Sequence, residues 1–181
     1  YDYRKSVHSH TLGLEYTNNF NPQGLNGLLK IELPMRWNSH RLDGFRVNEQ
    51  QVGRHTFFFE PLFFIRIMPL GYWASLTVHH PSEMPELIYL TEFCDDSNPL
   101  RVKLGNGELK NIHHLDVKIE FKREWQNQKV FYSNFNFHTT NHAVAYGLVF
   151  DKQTGITTTR PECVDGNWFA NGDLGFTTPI G

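Results

Sequence analysis

The sequence predicts an all-β fold: an antiparallel β-sandwich or jelly roll of about nine or ten short strands with little helix. Three observations predict it. Apolar residues recur mainly with period two, the repeat of a strand with one wet and one buried face. Turn-forming residues punctuate the chain every eight to twelve positions or so. No stretch of ten or more residues carries the 3.6-residue apolar repeat with helix caps.

The clearest strand is Leu115 to Phe121, where Leu115, Val117, Ile119 and Phe121 alternate with Asp116, Lys118 and Glu120. Phe131, Ser133, Phe135 and Phe137 alternate in the same way with Tyr132, Asn134 and Asn136. The short polar turn Gln126-Asn127-Gln128 between them predicts an antiparallel hairpin, with the first apolar set facing the core. A second hairpin is expected from Ala143–Phe150 and Gly155–Thr159, joined through Asp151 to Gly155. A third is expected from Leu100–Leu104 and Glu108–Ile112 around Gly105-Asn106-Gly107, whose glycines suit a tight turn.

The N-terminal half is less regular. Leu28–Leu33 reads as a strand stopped or bent at Pro34. Phe57–Met68 is nearly all apolar, but Pro61 cannot donate a ladder hydrogen bond, so two strands or a bent one are expected. Tyr72–His79 and Leu87–Phe93 complete the set, with Pro81 and Pro85 bracketing a loop or a single helical turn. Residues 1–27 read as an extended N-terminal arm or loop, rich in Asn and Gly, and residues 28–181 as a single β-sandwich domain.

The chain has 181 residues, enough for one domain that folds without a metal or disulfide staple. Seventeen basic against nineteen acidic side chains leave a net charge of −2, which argues against a nucleic-acid groove. No apolar run reaches the roughly 18 residues needed to span a bilayer, so no membrane insertion is expected. Cys94 and Cys163 are expected to be free thiols. None of the 15 Asn residues opens an N-x-Ser/Thr sequon. The chain begins at Tyr1 rather than Met, which reads as a fragment, a processed product or the ordered part of something longer.

Ten histidines and four tryptophans carry the candidate chemistry. His8-x-His10 followed by Glu15 is similar to the first metal-binding motif of the cupins, a jelly-roll family. That resemblance implies a metal-dependent jelly-roll enzyme. The family's second motif is not matched: the one Pro-x-Gly, Pro22-Gln23-Gly24, leads into Leu25-Asn26-Gly27 and no histidine follows. His138 and His142 have the spacing of a helical zinc pair, but their flanks read as strand ends around a turn. The adjacent pairs His79-His80 and His113-His114 should point to opposite sheet faces. His114-x-Asp116 would share one face, as an iron site requires. Cys94, beside Asp95 and Asp96, lacks a base that spacing can place, although His40, His55 and His79 are candidates. No nucleophile motif, P-loop or dinucleotide fingerprint is present. No catalytic residue, no metal ligand and no cofactor is therefore assigned.

Trp37 and Trp168 lie beside short polar residues that can supply directional hydrogen bonds. Trp37, Arg41, Asn167 and Trp168 are the candidate ligand-binding residues, suited to a sugar face or a protein hot spot. Trp125 ends a strand at a polar turn. Arg36, Arg41 and Arg46 read as a solvated edge.

The function expected is a non-catalytic recognition or assembly domain, such as a viral coat, spike or attachment domain located on a virion or an extracellular surface. Its partners would be copies of itself or a host-surface protein or glycan. The alternatives are a carbohydrate-binding module or lectin, and a cupin-like metal enzyme.

Overall fold

The computed structural model describes residues 3–44, 51–91 and 94–179. The fold is all-β and antiparallel, with one parallel strand pair. The first strands, β1 (Tyr3–Phe20) and β2 (Asn26–Gly44), form one long ribbon. Its turn holds Gln23 at φ 55° and Gly24 at φ 85°. There follow β3 (Gln51–Phe59), β4 (Leu62–Met68), β5 (Tyr72–His79) and β6 (Ser82–Glu83). A single helical turn, α1 (Leu87–Leu90), precedes β7 (Cys94–Asn98) and β8 (Arg101–Leu104). The remaining strands are β9 (Ile112–Glu124), β10 (Val130–Asn141), β11 (Ala143–Phe150), β12 (Thr157–Val164) and β13 (Asn167–Thr177).

The large sheet runs β1-β2-β4-β5-β9-β10-β13, so its strand order is the order of the chain. Two strands pair beside this path at one end, β3 on β2 and β6 on β9. The small sheet runs β11-β12-β8-β7.

The expected β9–β10 hairpin is present, with Ile119 opposite Phe135 and Val117 opposite Phe137. Its turn closes through the Trp125 N–H donating to the Lys129 carbonyl at 2.9 Å, with Gln128 at φ 61°. The β11–β12 hairpin is also present. Asp151 organises its turn by accepting from the Gln153 N–H and the Thr154 hydroxyl, and Gly155 takes φ 72°.

Four readings change. The arm expected over residues 1–27 is mostly β1, paired along its whole length with β2. Pro34 does not stop β2. It sits where the partner of β2 changes from β4 (up to Glu32) to β3 (from Met35), so no ladder bond needs its missing N–H. Leu87–Leu90 is a helical turn rather than a strand, because that turn buries Leu87 and Leu90 on one side, three residues apart. The Gly105–Gly107 segment closes no hairpin: β8 pairs with β7 and, in parallel, with β12. Asn106 holds that segment by donating to the Pro161 carbonyl at 2.8 Å, while its backbone N–H donates to the Tyr89 carbonyl at 2.7 Å.

The buried core is small. Leu42, Leu87, Leu90 and Leu109 form it, with Val52, Met84, Tyr89, Val144 and Cys163 packed around them. It lies where α1 and the small sheet meet one end of the large sheet, and sandwich packing is confined to that end. The chain exposes 12,759 Å². A folded chain of 21.2 kDa typically exposes about 9,100 Å².

Candidate interaction face and histidine cluster

The strand registers sort the large sheet into two unlike faces. One face carries Lys30, Glu32, Ser75, Lys118, Glu120 and Asn134. Lys30 pairs with Glu32 and reaches Glu15 at 3.5 Å, and the Ser75 hydroxyl donates to Glu120 at 3.1 Å. Lys118 lies 2.8 Å from Glu120 and holds that carboxyl below its ordinary range. Arg66 lies over both Phe64 and Trp73 on this face.

The opposite face is apolar from edge to edge. Leu14 on β1 pairs with Leu33 on β2; Ile31 pairs with Phe63, Ile65 with Leu76, Leu76 with Ile119 and Ile119 with Phe135. The stripe ends on β13 with Trp168, Leu174 and Phe176. Little covers it. Ile119 at its centre is 46% exposed, and Leu14, Tyr16, Phe63, Phe135, Leu174 and Phe176 are also exposed. The hairpin pairing of the Leu115–Phe121 strand is as the sequence predicts. Its burial is not, because no second layer packs on that side.

Trp37 and Trp168 both lie on this face. They stand five strand steps apart, roughly 24 Å at 4.8 Å per step, so they do not form one site. Trp37 packs on Phe57 with ring centroids 5.1 Å apart and lines a shallow groove of ≈ 310 Å³ with His8, His10 and His55. Trp168 lies in strand β13 rather than between turns, stacks on Phe137, and is 68% exposed. Asn167 begins β13 and accepts the Thr139 hydroxyl on its carbonyl. Arg41 is exposed and pairs with Asp43 at 2.8 Å. Arg36 is no solvated edge: it is partly buried, pairs with Glu60 at 2.7 Å and donates to the Ser82 carbonyl. Arg46 lies outside the described residues.

A cleft of ≈ 570 Å³ lies between the β4–β5 and β9–β10 turns. Tyr72, Trp73 and Trp125 line it, with Gln126 and Gln128 among its polar groups.

Six of the ten histidines gather at one end of the large sheet. His113 and His114 divide between two clusters, as the period-two expectation requires. His80 stacks on His113 at 5.7 Å, and His113 lies 6.1 Å from His142. The Ser82 hydroxyl lies 2.9 Å from His113 Nδ1, and His142 Nδ1 lies 3.1 Å from the Asn111 carbonyl.

In the second cluster His138 Nδ1 lies 2.5 Å from the Asp116 carboxylate, so it donates there. Its Nε2 lies 2.9 Å and His114 Nδ1 3.0 Å from the Thr140 hydroxyl oxygen, which is thus hydrogen-bonded to both imidazoles. Carboxylate, imidazole and hydroxyl in this order are the parts of a nucleophilic relay. However, Thr140 is buried and engaged by two imidazoles, and it sits between β9 and β13 at the last pair of the β10–β13 ladder. That arrangement fits a satisfied polar network.

The metal readings fare differently. His8 and His10 lie on the apolar face of β1, while Glu15 lies on the other face beside Lys30. Five residues of strand also separate His10 from Glu15 by roughly 16 Å. His138 and His142 belong to different clusters. Among the described residues no group of three or more His, Cys, Asp or Glu side chains is placed to hold a metal ion. Both cysteines are free, and Cys94 sits on the small sheet while His40, His55 and His79 sit on strands of the large one.

Burial, followed by the nearby His80, His142 and His114, holds the His113 imidazole below its ordinary range. Burial, with Lys5 and Arg36 adding to it, does the same for His40. Both groups therefore bind fewer protons folded than unfolded. Their stabilising effect is complete above about pH 6.5 and is lost as pH falls through the lowered folded values. The melting temperature is expected to fall between about pH 7 and pH 5, with a shallower slope in His113→Asn. Equal slopes in the two proteins would remove His113 from this account.

Compared with known proteins, the chain matches no family model, no curated protein and no solved structure.

Proposed function

We propose that this chain is a non-catalytic recognition and assembly domain of the viral coat, spike or attachment type, working at a virion or extracellular surface. The observation that carries this reading is the exposed apolar face spanning the large sheet. Exposed apolar patches beyond a few hundred Å² mark interaction sites in soluble proteins. Trp168 and Trp37 stand on that face as rigid aromatic anchors, with Arg41 four residues along β2 from Trp37 as a polar contact, whereas Asn167, next to Trp168 in β13, turns its side chain to the other face. The buried Thr140 supports a role without covalent chemistry.

Because the Trp168 ring is mostly exposed, Trp168→Ala should leave the melting temperature nearly unchanged. It should weaken binding to the partner or host-cell surface by about 1–2 kcal/mol, roughly ten- to thirtyfold. A large drop in melting temperature with binding intact would make the ring a structural plug and remove it from the site.

A second reading has its own observation. The cleft at the hairpin tips combines Tyr72, Trp73 and Trp125 with Gln126 and Gln128. Aromatic platforms beside amides suit a sugar ring, so a carbohydrate-binding role would use this cleft. Glycan-array binding abolished by Trp125→Ala would favour it; an array without a hit would count against it.

A further inference from the structure

We infer that the apolar face of the large sheet is covered by the same face of a second copy of this chain, giving a two-fold symmetric sandwich of two large sheets. This rests on the assembly reading above and names its partner.

The area argues for an interface of obligate size. The chain exposes 12,759 Å². That is about 3,700 Å² above a typical monomer of this mass. Large permanent interfaces remove roughly 1,000–2,500 Å² from each partner, so the excess is sufficient for one. The geometry is suitable as well. Two apolar sheet faces pack about 10 Å apart with their strands nearly aligned, and a sheet apolar on one side only is half of such a sandwich.

The charge pattern selects a copy over an unlike partner. Among the described residues, the charged side chains that the register places on this face are Arg4, Arg41 and Asp43 at one end and Arg123 near the other. Its centre offers neither charge nor directional hydrogen bonds, the features that impose a different, complementary partner. Nothing there repels an identical surface, and closed two-fold dimers are the commonest assembly of like chains. A membrane surface is disfavoured by the net charge of −2.

The test is sedimentation velocity of the purified chain over a wide concentration range. The expected species is a dimer of two 21.2 kDa chains. Ile119→Lys should weaken the dimer at least about a hundredfold, because it buries an unpaired ammonium at the centre. Ile119 is half exposed in the single chain, so the fold should survive, as circular dichroism will report. Phe135→Lys, across the ladder from Ile119, provides a second variant should the first misfold. Lys118→Glu, on the opposite face, should leave the dimer intact.

A dimer that withstands both face variants but dissociates with Leu148→Lys on the small sheet would overturn this face while keeping the assembly reading. A wild-type chain that stays monomeric would overturn the self-pairing. The Trp168→Ala binding measurement then decides separately whether the assembly reading stands.

Discussion

Leu109→Ala is expected to cost about 3–5 kcal/mol, close to the full stability of a small domain. Leu109 is 1% exposed and touches both parts of the fold. It shares a cluster with Leu42 from the large sheet and with Leu87 and Leu90 from the helical turn, and Val52, Val144 and Cys163 pack against that cluster. Truncation would open a cavity that three separate elements would have to close together. Urea unfolding should show a lowered midpoint with the slope unchanged. A cost under about 1 kcal/mol would mean that the two sheets unfold independently, since the seam between them would then contribute little to the whole.

Phe58→Ala is expected to cost a similar 3–5 kcal/mol or so, while its neighbour Phe57→Ala should cost the single chain much less. Phe58 is 2% exposed and Phe57 is 50% exposed, because adjacent strand residues point to opposite faces. Phe58 lies beneath the guanidinium of Arg36, 5.1 Å from its ring centre, and Arg36 is tied to Glu60 and to the Ser82 carbonyl. Losing the ring leaves that partly buried cation without its apolar floor. Thermal unfolding of the two variants checks the register of β3 directly. A reversed order of costs would mean that the strand is displaced by one residue.

The contrast between neighbours shows what the sequence could and could not reveal. Periodicity and turn chemistry were sufficient for the pairing of β9 with β10. The register of that pairing contains the polar relay, since pairing Ile119 with Phe135 necessarily sets Asp116 beside His138 and His114 beside Thr140. The hydrogen-bonded network was therefore implicit in a correct hairpin, although histidine spacing along the chain does not disclose it. Strand β13 was hidden for a local reason. Asn171, Gly172, Asp173 and Gly175 are poor strand formers, and pairing with β10 overrides them. The Tyr132 ring lies over Gly175, where a Cβ would meet it at 2.0 Å, so the glycine makes room for an aromatic of the neighbouring strand. Burial was the least legible property of all. Leu115, Val117, Ile119 and Phe121 have the pattern of a core face, but a pattern specifies only that a face is apolar. It does not specify which layer covers it.

The tethers between the sheets bear on how such a domain could be built. Only His142 separates β10 from β11, and only Asp165-Gly166 separates β12 from β13. The two tethers are bonded together, the His142 N–H donating to the Asp165 carboxylate at 2.6 Å. Thr140 and Asn167, on either side of this excursion, are direct partners in the large sheet. Thus β10 and β13 are a hairpin whose loop has grown two strands. Ser82 and His113 are likewise partners on either side of the excursion that carries α1, β7 and β8. The small sheet is therefore an elaboration of two loops at the same end, laced together where β8 meets β12 in parallel. What remains without it is an up-and-down meander, so a lobe is carried by two lengthened turns while the pairing of the large sheet's strands follows the order of the chain.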